Sequence, residues 1–223
     1  MTPEELQQIA TWAAHLAPEE VERAARGVSV RAFTRGSYVC HRGYVFDHWT
    51  GVVSGLCKLA TISPDGKAIS YTGIPAGGWF GEGSIIKNEP RKYDIVAVRD
   101  SEIALMNGTT FRWLFEHSTA FNRFLVYQLN ERLGQFIGML GYDRMLDATG
   151  RMARTIAWLF NPLLFPGVGD RLEINQEELG QLSGLSRQAA NRALRALQER
   201  GLLELDAQGI RALDKDGLSH FGD

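Results

Sequence analysis

Cysteine is scarce in this chain. Cys40 and Cys57 are the only two in 223 residues, and they do not stand at a C-x-x-C spacing. Zinc and iron–sulfur sites need more thiolates, or histidines at short intervals. No metal centre or cluster is therefore expected; two reduced, partly buried thiols of a cytoplasmic protein are. Long apolar runs are missing too. The best candidate, "TIAWLFNPLLF", is interrupted by Asn161 and Pro162, well short of the roughly 20 residues that a membrane span requires. The opening "MTPEELQQIA" has neither the basic nor the apolar region of a secretory signal. Nor is there an excess of positive charge: 24 Lys and Arg face 26 Asp and Glu, a formal net charge of −2. Bulk charge does not draw nucleic acid, so any such contact must come from a local patch. Catalytic signatures are absent as well. There is no H-E-x-x-H, G-x-S-x-G or P-loop, and "GGWFGEG" lacks the G-x-G-x-x-G spacing and the long helix that follows it. Together these absences predict a cytoplasmic, membrane-free, non-enzymatic protein.

What is present falls into distinct textures. In "TPEE", Thr2 can cap a helix, Pro3 suits its first turn and Glu5 can close a capping box. Leu6, Ile9, Ala13 and Leu16 follow at helical spacing. From Val28 to Met106 glycines punctuate short runs rich in β-branched and aromatic residues, such as "SYVC", "AISYTGI" and "YDIVAV". This rhythm predicts a β sandwich or barrel, with "SPDGK" at 63–67 as a tight hairpin turn. From Thr109 to Asp143 the period becomes helical. Phe111, Leu114 and Phe115 open it, and Leu125, Leu129, Leu133, Phe136, Ile137 and Leu140 form a stripe that favours a dimer seam. The polar stretch "GYDRMLDATG" suggests a boundary, dividing the chain into 1–108, 109–143 and 144–223.

The last region carries the most specific pattern. In "NQEE", Asn175 caps a short helix and Glu178 reaches back to it. "SGLS" supplies a glycine turn at Gly184, and Ser186 caps a second helix, which gives a helix-turn-helix. On that second helix Ala190, Leu194 and Leu197 share the core face, while Arg187, Gln188, Asn191, Arg192 and Arg195 share the other. Arginine with guanine and Asn or Gln with adenine are the favoured major-groove pairs, each supplying about 1–3 kcal/mol of discrimination. Over 187–200 only Glu199 opposes four arginines, which answers the objection from net charge. "LLEL", "DAQG" and "IRAL" then read as a two-stranded wing, with Arg211 able to touch phosphate. An Arg-rich face alone equally fits a solvated helix; with cap, turn and wing in register it points to DNA. The alternative is an effector-binding module whose winged region contacts protein.

The stretches "LDATGRMARTIAWL" at 146–159 and "INQEELGQLSGLSRQAANRALRALQERGLL" at 174–203 resemble the Crp–Fnr transcription regulators. "RGSYVCHRG", "GVVSGLCKL", "SPDG" and "PAGGWFGEGSI" resemble the glycine pattern of that family's cyclic-nucleotide-binding β-roll. The resemblance implies an α+β homodimer: a sensory β-roll, a long dimer helix and a C-terminal winged helix-turn-helix that binds palindromic duplex DNA and contacts RNA polymerase. It places Ser186, Arg187, Gln188 and Arg192 on DNA-reading positions, Gln188 where many members carry glutamate. It also implies a small effector, an anion or nucleotide, held by Gly81, Glu82, Gly83, Ser84, Arg91 and Lys92, with rotation through a hinge at 142–147. Two departures argue against cyclic AMP. Lys92 stands where the family has Ser or Thr, and Phe136 and Ile137 stand where it offers hydroxyls to adenine. An empty cassette in which Arg91 pairs with Glu82 or Asp94 is the other reading. His41, His48 and Cys40 are haem ligands by type only, without supporting spacing, and His15, His117 and His220 are expected at the surface.

Overall fold

The structure is a computed structural model and describes residues 1–63, 65 and 68–222, the side chain of Asp143 excepted. The hairpin turn expected at 63–67 falls on Pro64, Gly66 and Lys67, outside the described residues.

Eight strands make two four-stranded antiparallel sheets. One has the order β1 (Val28–Phe33), β8 (Ser101–Asn107), β3 (His48–Ser54) and β6 (Trp79–Phe80). The other has the order β2 (Tyr38–Cys40), β7 (Asp94–Ala97), β4 (Leu56–Ile62) and β5 (Ala68–Pro75). Register is set by alternation: Val52, Phe80, Ile103 and Leu105 of the first sheet and Cys57, Leu59, Ile74 and Ile95 of the second point into one apolar filling. Cys40 and Cys57 lie in this interior and are buried as free thiols.

The opposite face of the first sheet is covered by helices. α1 (Pro3–Ile9) begins with the expected capping box, Thr2 with Glu5. It stops at Ala10, where the chain turns extended and passes into a short 3-10 turn, Thr11–His15. The single helix anticipated through Leu16 is thus broken, and the break lets Trp12 enter the core. Trp12 lies 5.2 Å from Trp49, 5.3 Å from Trp79 and 5.5 Å from Phe121, between ring centroids. Gly51 is required here, because a Cβ on it would lie 2.5 Å from the Trp79 ring. α2 (Pro18–Arg26) and α4 (Gly108–His117) complete the cover, and α3 (Glu82–Lys87) is a short helix after β6. α5 (Thr119–Met145) is the long helix, set off from α4 by Ser118, whose Oγ accepts from the Phe121 N–H at 3.2 Å.

α6 (Ala148–Leu159) starts at Asp147, whose Oδ1 accepts from Gly150 N at 2.8 Å. Beyond it come β9 (Arg171–Leu172), α7 (Gln176–Ser183), α8 (Arg187–Glu199), β10 (Leu203–Asp206), β11 (Gly209–Ala212) and α9 (Lys215–Ser219). β10 and β11 form the expected wing hairpin, and β9 adds a third strand to it. Met152, Ile156, Leu179, Leu182, Leu194 and Leu197 join the helices into one core. Among the described residues no helix is long and apolar enough to cross a membrane.

Candidate nucleic-acid interface

The helix pair α7–α8 is assembled by its caps. Asn175 Oδ1 accepts from Glu178 N at 2.9 Å and Glu178 Oε2 accepts from Asn175 N at 2.8 Å, closing the box on α7. Gly184 ends that helix at φ 65°, a left-handed conformation that favours glycine. Ser186 Oγ then accepts from Ala189 N at 3.3 Å and starts α8. Gly180 on α7 sits opposite Ala190 on α8, small against small, so the two helices cross closely. Ala190, Ala193, Leu194 and Leu197 are buried, whereas Arg187, Gln188, Arg192 and Arg195 are exposed and Asn191 is half-buried beside them. Gln188, Asn191, Arg192 and Arg195 line one shallow surface concavity. Among the described residues none forms an ion pair with Arg187, Arg192 or Arg195. The wing differs. Arg211 Nε lies 3.1 Å from Asp170 Oδ2, so the phosphate contact expected of Arg211 competes with an internal carboxylate.

A second set of residues gathers at the end of the roll. Gly81, at φ 94°, caps α3, which begins at Glu82 and includes Gly83 and Ser84. Arg91 is buried, and its guanidinium donates to the Gly81 carbonyl at 2.5 Å and the His48 carbonyl at 2.6 Å. Among the described residues it forms no ion pair with Glu82 or Asp94, which corrects that expectation: the carbonyls of Gly81 and of His48 on β3 take its donors. A Cβ at Gly81 would run into the same guanidinium. Glu82 is also buried, with Oε2 unpartnered. Burial raises the neighbouring Tyr93 phenol, and the Glu82 carboxylate adds to the shift. Lys92 does not join this set. It is exposed and lies 3.2 Å from Glu89.

Comparison with known proteins matches both regions. Residues 30–118 match the cyclic nucleotide-binding domain family, and residues 150–221 match the Crp-like helix-turn-helix domain family. The chain belongs to the Crp–Fnr family of transcription regulators. The cyclic AMP receptor protein of Thermus thermophilus is 28% identical over 190 residues, 85% of this chain and 86% of that protein. The cAMP-activated global transcriptional regulator Vfr of Pseudomonas aeruginosa is 25% identical over 182 residues, 78% and 85% of the two chains. The solved structure of FixK2 from Bradyrhizobium japonicum shares the fold with a TM-score of 0.70 at 16% identity, covering 88% of this chain and 98% of that one. The fold is that of a Crp–Fnr regulator, with a β-roll, a long helix and a Crp-like helix-turn-helix, and the chain is a DNA-binding transcription regulator of that type.

The long helix of this regulator is inverted relative to a helix packed within one chain. Its face toward the roll carries Leu125, Gln128, Arg132 and Gln135, all buried; Arg132 donates to the Trp79 carbonyl at 2.6 Å and Gln135 to Thr72 Oγ1 at 3.0 Å. Its outer face carries Val126, Leu129, Leu133, Ile137 and Leu140, all exposed, with Phe136 at the margin. Leu125 therefore leaves the expected seam. It packs with Phe121 and the tryptophans inside the chain, and Val126 is exposed beside the rest of the stripe. Reading 126, 129, 133, 136 and 140 as alternating three- and four-residue steps would have found this register. The buried polar face had no such signal, because its partners come from β5 and β6. Phe136 and Ile137 are both outward. His15, His117 and His220 are exposed, and His41 stacks on Tyr38 at 4.1 Å. Among the described residues no three His, Cys, Asp or Glu side chains are grouped to hold a metal ion.

Proposed function

We propose that this regulator binds duplex DNA as a homodimer and reads a palindrome with Ser186, Arg187, Gln188, Asn191, Arg192 and Arg195. The observation that carries the reading is the uncompensated donor row on the exposed side of α8, whose positive N-terminal end adds to its attraction for phosphate. A second copy covers Leu129, Leu133, Phe136, Ile137 and Leu140, an apolar stripe left exposed along the long helix. The two reading helices then enter successive major grooves about 34 Å apart. The other partners in this reading are a nucleotide-like effector and RNA polymerase, in the cytoplasm, and the chain catalyses no reaction.

The effector we assign is an anion held by the Gly81–Ser84 turn and Arg91, and it is not cyclic AMP. The Thermus and Pseudomonas relatives named above are cAMP proteins, but here Lys92 is exposed and paired with Glu89, and the outward Phe136 and Ile137 offer adenine no hydrogen bond. A buried amino group left unpaired costs about 1–3 kcal/mol. Effector and DNA affinities are coupled reciprocally, typically by about 1–3 kcal/mol, through the junction of α5 and α6 at 142–147.

Selection of duplexes from random sequence, followed by binding at rising salt, tests the DNA reading. An enriched palindrome whose affinity falls steeply with salt supports it; no enrichment over bulk DNA refutes it. Calorimetric titration with cyclic AMP and other cyclic nucleotides tests the effector assignment, which micromolar cyclic AMP binding would refute.

A further inference from the structure

The reading face of α8 is held in place from the roll. We propose that Arg99 is a positioning residue for DNA recognition: from the β7–β8 turn it clamps Glu178 of α7 and fixes the angle at which α8 is presented. This rests on the DNA-reading assignment above and adds the element that sets the geometry.

The Arg99 guanidinium meets the Glu178 carboxylate as a fork, Nε to Oε1 at 3.2 Å and Nη2 to Oε2 at 2.5 Å. Its third nitrogen lies 3.7 Å from Glu173. Glu178 is 2% exposed. A carboxylate buried to that degree is costly unless paired, and a bidentate arginine constrains orientation as well as distance. The same carboxylate closes the capping box of α7, so the clamp grips the start of that helix. α7 in turn crosses α8 closely at Gly180 and Ala190, and Leu179 and Leu182 of α7 share one buried core with Leu194 and Leu197 of α8.

The surroundings fit a seat. Leu56 and Val98 of the roll belong to the same buried core as Leu179, Leu182 and Leu194. At Gly73 of β5 a Cβ would lie 2.6 Å from Leu182 and 2.9 Å from Leu159. Arg35 to Glu177 at 3.2 Å and Lys58 to Gln181 at 3.4 Å flank the contact. The Arg35–Glu177 pair is largely solvated and contributes little. Arg99–Glu178 is the one of these contacts whose carboxylate is buried.

Two reading helices must be spaced for a palindrome, whereas a single half-site makes no such demand. The test compares full-length wild type with Arg99→Ala and Glu178→Gln, glutamine being able to keep the cap. Anisotropy is read on the palindrome selected by the wild type and on a duplex with one half-site. Each substitution is expected to weaken palindrome binding about tenfold, leaving half-site binding and the salt slope unchanged. If Arg99 instead touches phosphate, Arg99→Ala lowers the salt slope by about one and Glu178→Gln, which removes a negative charge, strengthens binding. Either result overturns the proposal, as does equal loss on both duplexes. Nitroxide labels on Ser54→Cys and Gln198→Cys give a second readout. Their distance distribution is expected to broaden in both variants, and an unchanged distribution overturns the clamp. If the wild type selects no palindrome, the regulator reading fails, and the label distances still decide the role of Arg99.

Discussion

Arg187 and Arg211 show how little residue type alone decides. Both are arginines of the winged helix-turn-helix, yet Arg211 is engaged by Asp170 and Arg187 by no carboxylate among the described residues. The helical period made the position of Arg187 legible; the partner of Arg211 lies on a different segment and no local pattern announces it. Arg192→Ala is expected to cost about 1–3 kcal/mol at one base pair and to relax preference there, measurable by selection on a randomised site. The cysteines give a second check at this scale. Burial pushes the Cys57 thiol up to about 12 and raises Cys40 as well. Both stay protonated at neutral pH, so the native protein should react negligibly with an aromatic disulfide reagent and expose two thiols on unfolding.

Among the elements, the caps were the most legible features, because a cap is a contact within three residues. Asn175, Ser186 and Thr2 each act as their neighbours suggested. Ser186→Ala should cost about 1 kcal/mol, seen as a lower thermal midpoint. The break at Ala10 was not legible: Trp12 is drawn out of helical register by three aromatic rings from other elements. β3 begins at His48, whose ring burial lowers its pKa below the ordinary 6.5. The unfolded chain therefore binds this proton more readily. His48 favours folding fully above pH 6.5, and its contribution is lost as pH falls from there through the lower folded value. Replacing it with Asn should flatten the thermal midpoint between pH 6.5 and the carboxylate range; an unchanged pH dependence would refute the assignment.

At the scale of the whole molecule, the exposed apolar stripe of the long helix is the proposed dimer seam. Ile137→Asp with Leu133→Asp should yield monomers in sedimentation and abolish palindrome binding, because the charges fall in the seam. Leu125→Ala should leave the dimer intact and cost about 2–5 kcal/mol of stability, because its side chain is 2% exposed within one chain. A dimer lost with Leu125→Ala but kept with the aspartates would invert this account.

Local order was written in the sequence itself. Hydrophobic period, glycine turns and capping residues act over a few positions, and they delivered a β sandwich or barrel, the long helix and the helix-turn-helix; that the β region is a roll came from the family resemblance. Tertiary structure alone decided which face of the long helix turns inward, where Arg91 donates, and that Arg99 meets Glu178. Each of these depends on groups far apart in the chain, whose meeting is set by packing and by the cost of burying charge without a partner.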